Sequence, residues 1–415
     1  MALFRIDRVR MRHFRGFECL DLRLSAGVTV LYGDNGAGKS NAISALARLL
    51  GGLLQPAFGS LRATDAWEPE VPADASRQGR LPVELDAWGE ASGAPMSWGR
   101  ALHSLDGRVT NAELKPLRAW FTGLQSQRAA WPLIARFGPQ RHHEVVYDTK
   151  RRRPSQAQRM DGYLDCLDTR SNVVQLLQWW YNVHYARLAQ QPSRAYDVLE
   201  RVMRIAAVAP TDAAAPDRVR EIQISAESGL PIFRMESGRS IRWEHLSDGY
   251  RAFLGVIGDL TRRAWLLNGG VLDDPVEQAE GVVLIDEVDL HLHPRWQARV
   301  VPVLRSTFPG VQFVVTTHSP YVLAGVANDE VRELGDGRLL ADTAYVQHRD
   351  PRTVLTHVQG APARSPWASE RLDRIAALLH ARRHDEARRW VEELAIAWGE
   401  DDPEVLRLRA RVGAA

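Results

Sequence analysis

Apolar and polar residues alternate along Phe4 to Val9 and again along Cys19 to Leu24, the two-residue period of strands with one buried face. Val282 to Ile285 is instead a continuous apolar run, and Val28 to Tyr32 and the stretch from Gln312 to His318, which ends in a histidine, also read as buried strands. That is how parallel strands read when both faces are covered. Pro132 to Phe137 adds a shorter strand. A period near 3.6 predicts helices over Asn41–Leu50, Leu114–Ala129, Asn172–Gln190, Ala195–Val208 and Leu246–Leu267. Two hairpins are expected: Leu81–Trp88 with Met96–Leu102 around Gly89–Gly93, and Glu221–Ser225 with Pro231–Met235 around Ser228-Gly229. Trp179 and Trp180 read as core rather than as a stacking platform. Val331 to Val346 reads as short strands and turns. The C-terminal part carries a helical stripe over Arg371–Arg382, a helix capped by Asp385, and another over Val405–Val412 after a break at Gly399–Pro403. These three helices are expected either to bracket an α/β core or to present a docking surface.

Bulk composition narrows the class without choosing a function. The chain has 415 residues and a formal net charge of +2, so any basic surface must be local. Lys150–Arg153, with Arg141 and Arg159 nearby, is the most basic run; it reads as a solvated loop or as a contact for nucleic-acid phosphates. Two cysteines, Cys19 and Cys166, cannot make a disulfide framework, which suits a reducing cytoplasm. No stretch reaches the roughly 20 apolar residues of a membrane span, so a soluble, cytoplasmic protein without a membrane partner is expected.

The chemistry begins at Gly33-Asp34-Asn35-Gly36-Ala37-Gly38-Lys39-Ser40, which fits G-x-x-x-x-G-K-[ST] at every fixed position, between a strand and a helix. Glycines let the backbone wrap an anion, so that successive amides and a helix N-terminus point at phosphates. Lys39 can then reach the β- and γ-phosphates and the Ser40 hydroxyl can ligate Mg²⁺. Asn35, Gly36, Gly38 and Asn41 complete the expected ATP contacts. Asp286 falls at the carboxyl end of the Val282–Ile285 run, where α/β sheets place ligands. It is the expected metal ligand, with Glu287 beside it to orient or deprotonate the attacking water. A competing reading makes His291 and His293, with Asp286 and Asp289, a metallohydrolase site.

Three further motifs follow the phosphate loop in a fixed order. Leu246-Ser-Asp-Gly-Tyr-Arg251 opens a helix and resembles the signature sequence of ATP-binding cassettes, in which Ser and Gly hold the γ-phosphate of ATP bound to the other subunit. By that resemblance Ser247 and Gly249 take those roles. Leu292-His293-Pro294 resembles the loop such ATPases use to communicate across the dimer, and His318 their switch histidine. His13-Phe14-Arg15 resembles the turn found beside the nucleotide in SMC, RecF, RecN and OLD-type ATPases, so Arg15 is either a nucleotide contact or a solvated turn residue. Gln140, after a strand, stands where cassettes place a glutamine on Mg²⁺.

The wording of these motifs, and the C-terminal Glu-Asp-Asp-Pro-Glu-Val-Leu segment, resembles a RecF/SMC-like group of bacterial AAA-family ATPases from Septu-type and retron-linked anti-phage systems. The resemblance implies an α/β P-loop NTPase with an ATP-binding-cassette head and a mixed sheet core. Its parts would be residues 1–140 as a first lobe, 141–245 as a helical and hairpin insert, 246–360 as the second half of the ATPase, and 361–415 as a helical segment. It also implies an ATP-dependent homodimer that governs a separate effector, such as an HNH nuclease, since no D-x-D nuclease pattern follows His318. The alternative is a RecF- or RecN-like clamp in DNA repair. A transporter motor is disfavoured by the inserts between Phe137 and Leu246.

Overall fold

The structure, a computed structural model, describes residues 3–54, 79–103, 109–110, 114–139, 159–169, 173–189, 194–207, 218–342, 344–362 and 364–413. Among them the strands are, in chain order, β1 Phe4–Phe14, β2 Phe17–Arg23, β3 Val28–Tyr32, β4 Val83–Ala91, β5 Ala94–Leu102, β6 Val109–Thr110, β7 Leu133–Phe137, β8 Val219–Ile224, β9 Pro231–Met235, β10 Ser240–Arg242, β11 Gly281–Ile285, β12 Val311–Thr316, β13 Val331–Gly335 and β14 Arg338–Ala341. They form three sheets. The central one has the order β14-β13-β3-β12-β11-β7. Its pairings are parallel except for the antiparallel edge strand β14. Every residue of β3, β11 and β12 is buried, which is why none of them alternates, and the polar Thr29, Gln312 and Thr316 are buried with the rest.

A second sheet, β2-β1-β4-β5-β6, is antiparallel and alternates. Phe4, Ile6, Val9, Met11 and Phe14 are buried along β1. Its outward arginines pair across the sheet, Arg10 with Asp86 at 3.0 Å and Arg12 with Glu84 at 2.8 Å. β1 runs five residues past Val9, and its last residue, Phe14, pairs with Phe17. The reason is the Arg15-Gly16 turn, with His13 and Arg15 both at positive φ (51° and 48°). The β4–β5 turn is the two residues Ser92-Gly93 (φ 49° and 80°) rather than the five of Gly89–Gly93. Two central residues with positive φ match the twist of the flanking strands, and Gly89 lies inside β4 opposite Ile6.

The third sheet, β10-β9-β8, accompanies helices Val173–Leu188 and Arg194–Ala206, both of which contact the long helix Asp248–Asn268. Trp180 is buried there, with Phe233 edge-on at 6.4 Å, while Trp179 is half-buried. Helix Asp248–Asn268 carries a buried ion triad. Asp259 accepts from Arg262 at 2.8 Å and Arg263 at 2.7 Å, and Arg263 also donates to the carbonyls of Gly162 (2.8 Å) and Leu164 (2.9 Å). The segment just after Leu164 runs beside the outer edge of β7: Arg136 N donates to Cys166 O and Gly138 N to Thr169 O. Arg159, expected in a basic run, is folded inward instead. Its guanidinium lies 4.1 Å over Trp131 and donates to the carbonyls of Ala129 and Leu267. Arg141 and Lys150–Arg153 lie outside the described residues.

The chain divides into two compact units, Met1–Val354 and Leu355–Ala415. The second holds helices Pro366–His380, His384–Trp398 and Pro403–Gly413 around Ile375, Leu378, Val391, Leu394, Val405 and Leu408. Its first helix starts earlier than the apolar stripe because Ser365 caps it. Asp385 lies in the first turn of the second helix, not at its cap; the N-cap is Arg383, which makes no side-chain capping bond.

Candidate nucleotide site

The loop between β3 and helix Lys39–Leu54 turns through Gly33, Gly36 and Gly38 at φ 142°, 84° and 102°. At Gly33 a Cβ would sit 1.9 Å from the Leu334 carbonyl of β13, so the parallel neighbour strand admits only glycine there. Lys39 is buried, and its Nζ donates to the carbonyls of Gly33 (2.8 Å) and Asp34 (2.9 Å). Burial lowers the ammonium's pKa, against the pull of Asp286, Asp34 and Glu287. The cation is thus held by the loop's own backbone, facing acids rather than bulk water, and an entering anion would offset its desolvation.

Across from the loop, β11 and β12 end side by side, Ile285 opposite Val315. Thr316 fastens the two ends. Its hydroxyl donates to Asp286 Oδ1 (2.6 Å) and accepts the Glu287 N–H (2.7 Å), while its carbonyl accepts the Val288 N–H. Asp286 is buried, and Glu287 holds φ 52°. A cavity of about 270 Å³ gathers Asn35, Gly36, Gly38, Lys39, Ser40 and Asn41 from the loop and helix, Asp286 and Glu287 from just after β11, Thr316 from the end of β12 and His318 from just after it. Nine of these ten stand out in the sequence. Thr316 does not; its only trace is the Thr-Thr before His318.

Arg15 is beside this group rather than in its lining: Nη1 donates to Asn41 Oδ1 at 3.3 Å, and the guanidinium lies over Phe14. A second arginine, missed in the sequence, is Arg136 on β7. Burial lowers its pKa, Asp286 opposes that shift and Arg15 adds to it; the β7–β11 register sets Arg136 opposite Leu284, two residues before Asp286. Gln140 lies outside the described residues.

Ser247 and Gly249 are not among the residues lining the cavity. Ser247 is the exposed N-cap of helix Asp248–Asn268 and accepts the Tyr250 N–H at 3.4 Å. Gly249 packs against the loop after β11, where a Cβ would lie 2.1 Å from the His291 carbonyl. Asp289 accepts the Thr317 hydroxyl. Among the described residues no three His, Cys, Asp or Glu side chains are grouped to hold a metal ion, so the metallohydrolase reading finds no site there. Nor, among them, is any helix long and apolar enough to cross a membrane.

Residues 108–324, just over half of the chain, match the family described as "AAA domain, putative AbiEii toxin, Type IV TA system". The chain belongs to this AAA-domain family. A further AAA domain description matches residues 8–75 of this AAA-domain chain, the part that carries the phosphate loop. Among curated relatives it is 36% identical to Retron Vc95 probable ATPase of Vibrio cholerae over 28% of this chain and 23% of that one. It is 32% identical to Retron Ec83 probable ATPase of Escherichia coli over 40% and 31%. It is 36% identical to Septu protein PtuA of Bacillus mycoides over 28% and 15%. The matched segments therefore span less than a third of these relatives' own lengths. Solved structures it resembles include an SMC head bound to the C-winged helix domain of ScpA (TM-score 0.47, 16% identity, 80% of this chain and 96% of that one). Another is the recombination mediator RecF (TM-score 0.42, 14% identity, 82% and 99%).

Proposed function

We propose that this AAA-domain chain binds and hydrolyses ATP as a nucleotide-driven switch, and that two copies close head to tail around two ATP molecules. The observation that carries the chemistry is the single cavity in which Lys39, Asp286, Glu287 and His318 converge at the carboxyl ends of parallel strands. In this reading Lys39 and the amides from Asn35 to Ser40 hold the triphosphate. Ser40 and Asp286 are hard oxygen donors of the kind Mg²⁺ takes and would hold that ion; when bound it neutralises charge on the β- and γ-phosphates. Glu287 orients the attacking water and accepts its proton. The Thr316 hydroxyl keeps the backbone of Glu287 and the carboxylate of Asp286 in register. His318 meets the γ-phosphate from the remaining side.

Ser247 and Gly249 of the second copy complete the site, through free amides at a helix N-terminus. Their position away from their own chain's cavity is what a composite site needs. Kinship with the retron and Septu ATPases supports a cytoplasmic regulatory ATPase of an anti-phage system, controlling a separate effector such as an HNH nuclease. Phosphate release by the purified chain with ATP and Mg²⁺ tests the core of this reading. Lys39→Ala should abolish nucleotide binding. Glu287→Gln should keep binding and lower turnover by about 10²–10⁴-fold; unchanged turnover in Glu287→Gln would remove that residue from the reaction.

A further inference from the structure

Gln297 lies in the first turn of helix Pro294–Thr307, outside the cavity, and is half-buried. Both ends of its amide are engaged. Nε2 donates to the Leu292 carbonyl at 2.8 Å, and Oε1 accepts from the Ser319 hydroxyl at 2.7 Å. Each bond reaches a segment that borders a functional element. Leu292 ends the loop after β11, whose His291 carbonyl and Leu292 nitrogen press on Gly249. Ser319 directly follows His318, which lines the cavity. The Ser319 hydroxyl also accepts the N–H groups of Tyr321 (3.1 Å) and Val322 (3.3 Å), so it has one proton to give, and Gln297 takes it.

This pairing specifies the residue type. One side chain must accept from a hydroxyl and donate to a carbonyl across the same gap. A carboxylate can only accept, an ammonium can only donate, and asparagine is one carbon shorter. The neighbouring Thr317–Asp289 bond ties the same two segments nearer the sheet. A rigid strip therefore runs from Gly249 through the His291–Leu292 backbone and Gln297 to Ser319 and the cavity.

We propose that Gln297 is a positioning residue that fixes His318 relative to the His291–Leu292 loop that packs against Gly249. The Leu246–Arg251 turn, which meets the partner copy's nucleotide, is then mechanically coupled to the cavity of its own chain. This rests on the ATPase reading above. The two amide bonds transmit position because neither segment can shift without breaking one of them.

The test uses the full-length chain, steady-state phosphate release with ATP and Mg²⁺, binding of a fluorescent ATP analogue, and thermal unfolding. Gln297→Leu and Ser319→Ala should each lower kcat tenfold or more while analogue affinity stays within twofold of wild type. Gln297→Leu/Ser319→Ala should be no slower than the slower single variant, because both remove one bridge. Ser319→Thr, which restores the hydroxyl, should recover turnover. Should Gln297→Leu fail to fold, the Ser319→Ala and Ser319→Thr pair tests the same bridge from its other end. Wild-type kcat in Gln297→Leu, or additive losses with affinity falling alongside kcat, would overturn the inference and leave the ATPase reading standing. A wild-type chain that binds the analogue and releases no phosphate would overturn both.

Discussion

Thr316 shows how much one hydroxyl can organise. It satisfies the Glu287 N–H and donates to the buried Asp286 carboxylate where the ends of β11 and β12 meet. Thr316→Val keeps the shape and removes both bonds, so it should cost about 1–3 kcal/mol of stability, chiefly for the buried Asp286 carboxylate left without its donor. It should also raise the Mg²⁺ concentration needed for half-maximal turnover, because Asp286 loses the partner that aims it. Urea unfolding and a Mg²⁺ titration of phosphate release check the two parts. Lys39, Ser40 and Asp286 were legible from the sequence because their spacing is local: a loop of fixed length, or the end of an apolar run. Thr316 was not, because its partners come from another strand. Only the parallel register of β11 and β12 puts the end of one beside the end of the other. The positive φ of Glu287 is equally silent in the sequence, since non-glycine residues rarely adopt it.

At the scale of elements, helix Asp248–Asn268 is the member on which the candidate signature turn depends. Its apolar stripe was readable, but its stripe does not explain how it is fixed. Burial alone would raise the pKa of Asp259, yet Arg263 and Arg262 more than offset this and hold the carboxyl below the ordinary aspartate range. The depressed folded pKa sets the sign of the pH dependence. Its contribution to stability is present above the unfolded aspartate value, about pH 4, and is lost as pH falls through the folded value. Asp259→Ala should leave two buried arginines uncompensated and cost about 3–5 kcal/mol. Unfolding of the variant should also lose part of its acid sensitivity below about pH 4. An unfolding series across pH for wild type and variant reads both effects, and equal slopes would exclude the triad as their source. The β13–β14 hairpin gives a second case. Short strands were expected between Val331 and Val346, but nothing local reveals that β13 adds to β3 in parallel and sets its Leu334 carbonyl against Gly33. The hairpins with local turns were legible as elements, although the β4–β5 turn is Ser92-Gly93 rather than Gly89–Gly93. The long-range pairings, which build the site, were not.

For the molecule as a whole, the question is whether nucleotide can hold two copies together. Moving a monomer–dimer balance from one extreme to the other takes about 5.5 kcal/mol of differential binding. Hydrogen bonds to a charged group contribute about 1.5–3 kcal/mol each. A Ser247 hydroxyl and a Gly249 amide on each of two γ-phosphates would supply that difference between ATP and ADP. ADP lacks the phosphate these groups would meet and should leave the chain monomeric, whereas ATP trapped by Glu287→Gln should double the mass seen by light scattering after size exclusion. Adding Ser247→Arg to that background puts a long side chain where the γ-phosphate must enter, so the mass should return to the monomer while ATP analogue affinity stays within about twofold. Exposed Ser247 tolerates the change because it buries nothing, and the Tyr250 N–H it leaves uncapped can turn to solvent. A dimer that formed equally with ADP, or that survived Ser247→Arg, would mean the copies meet through another face. The cavity chemistry around Lys39 and Glu287 would then be complete within each protomer, with no contribution from Ser247 of a second chain.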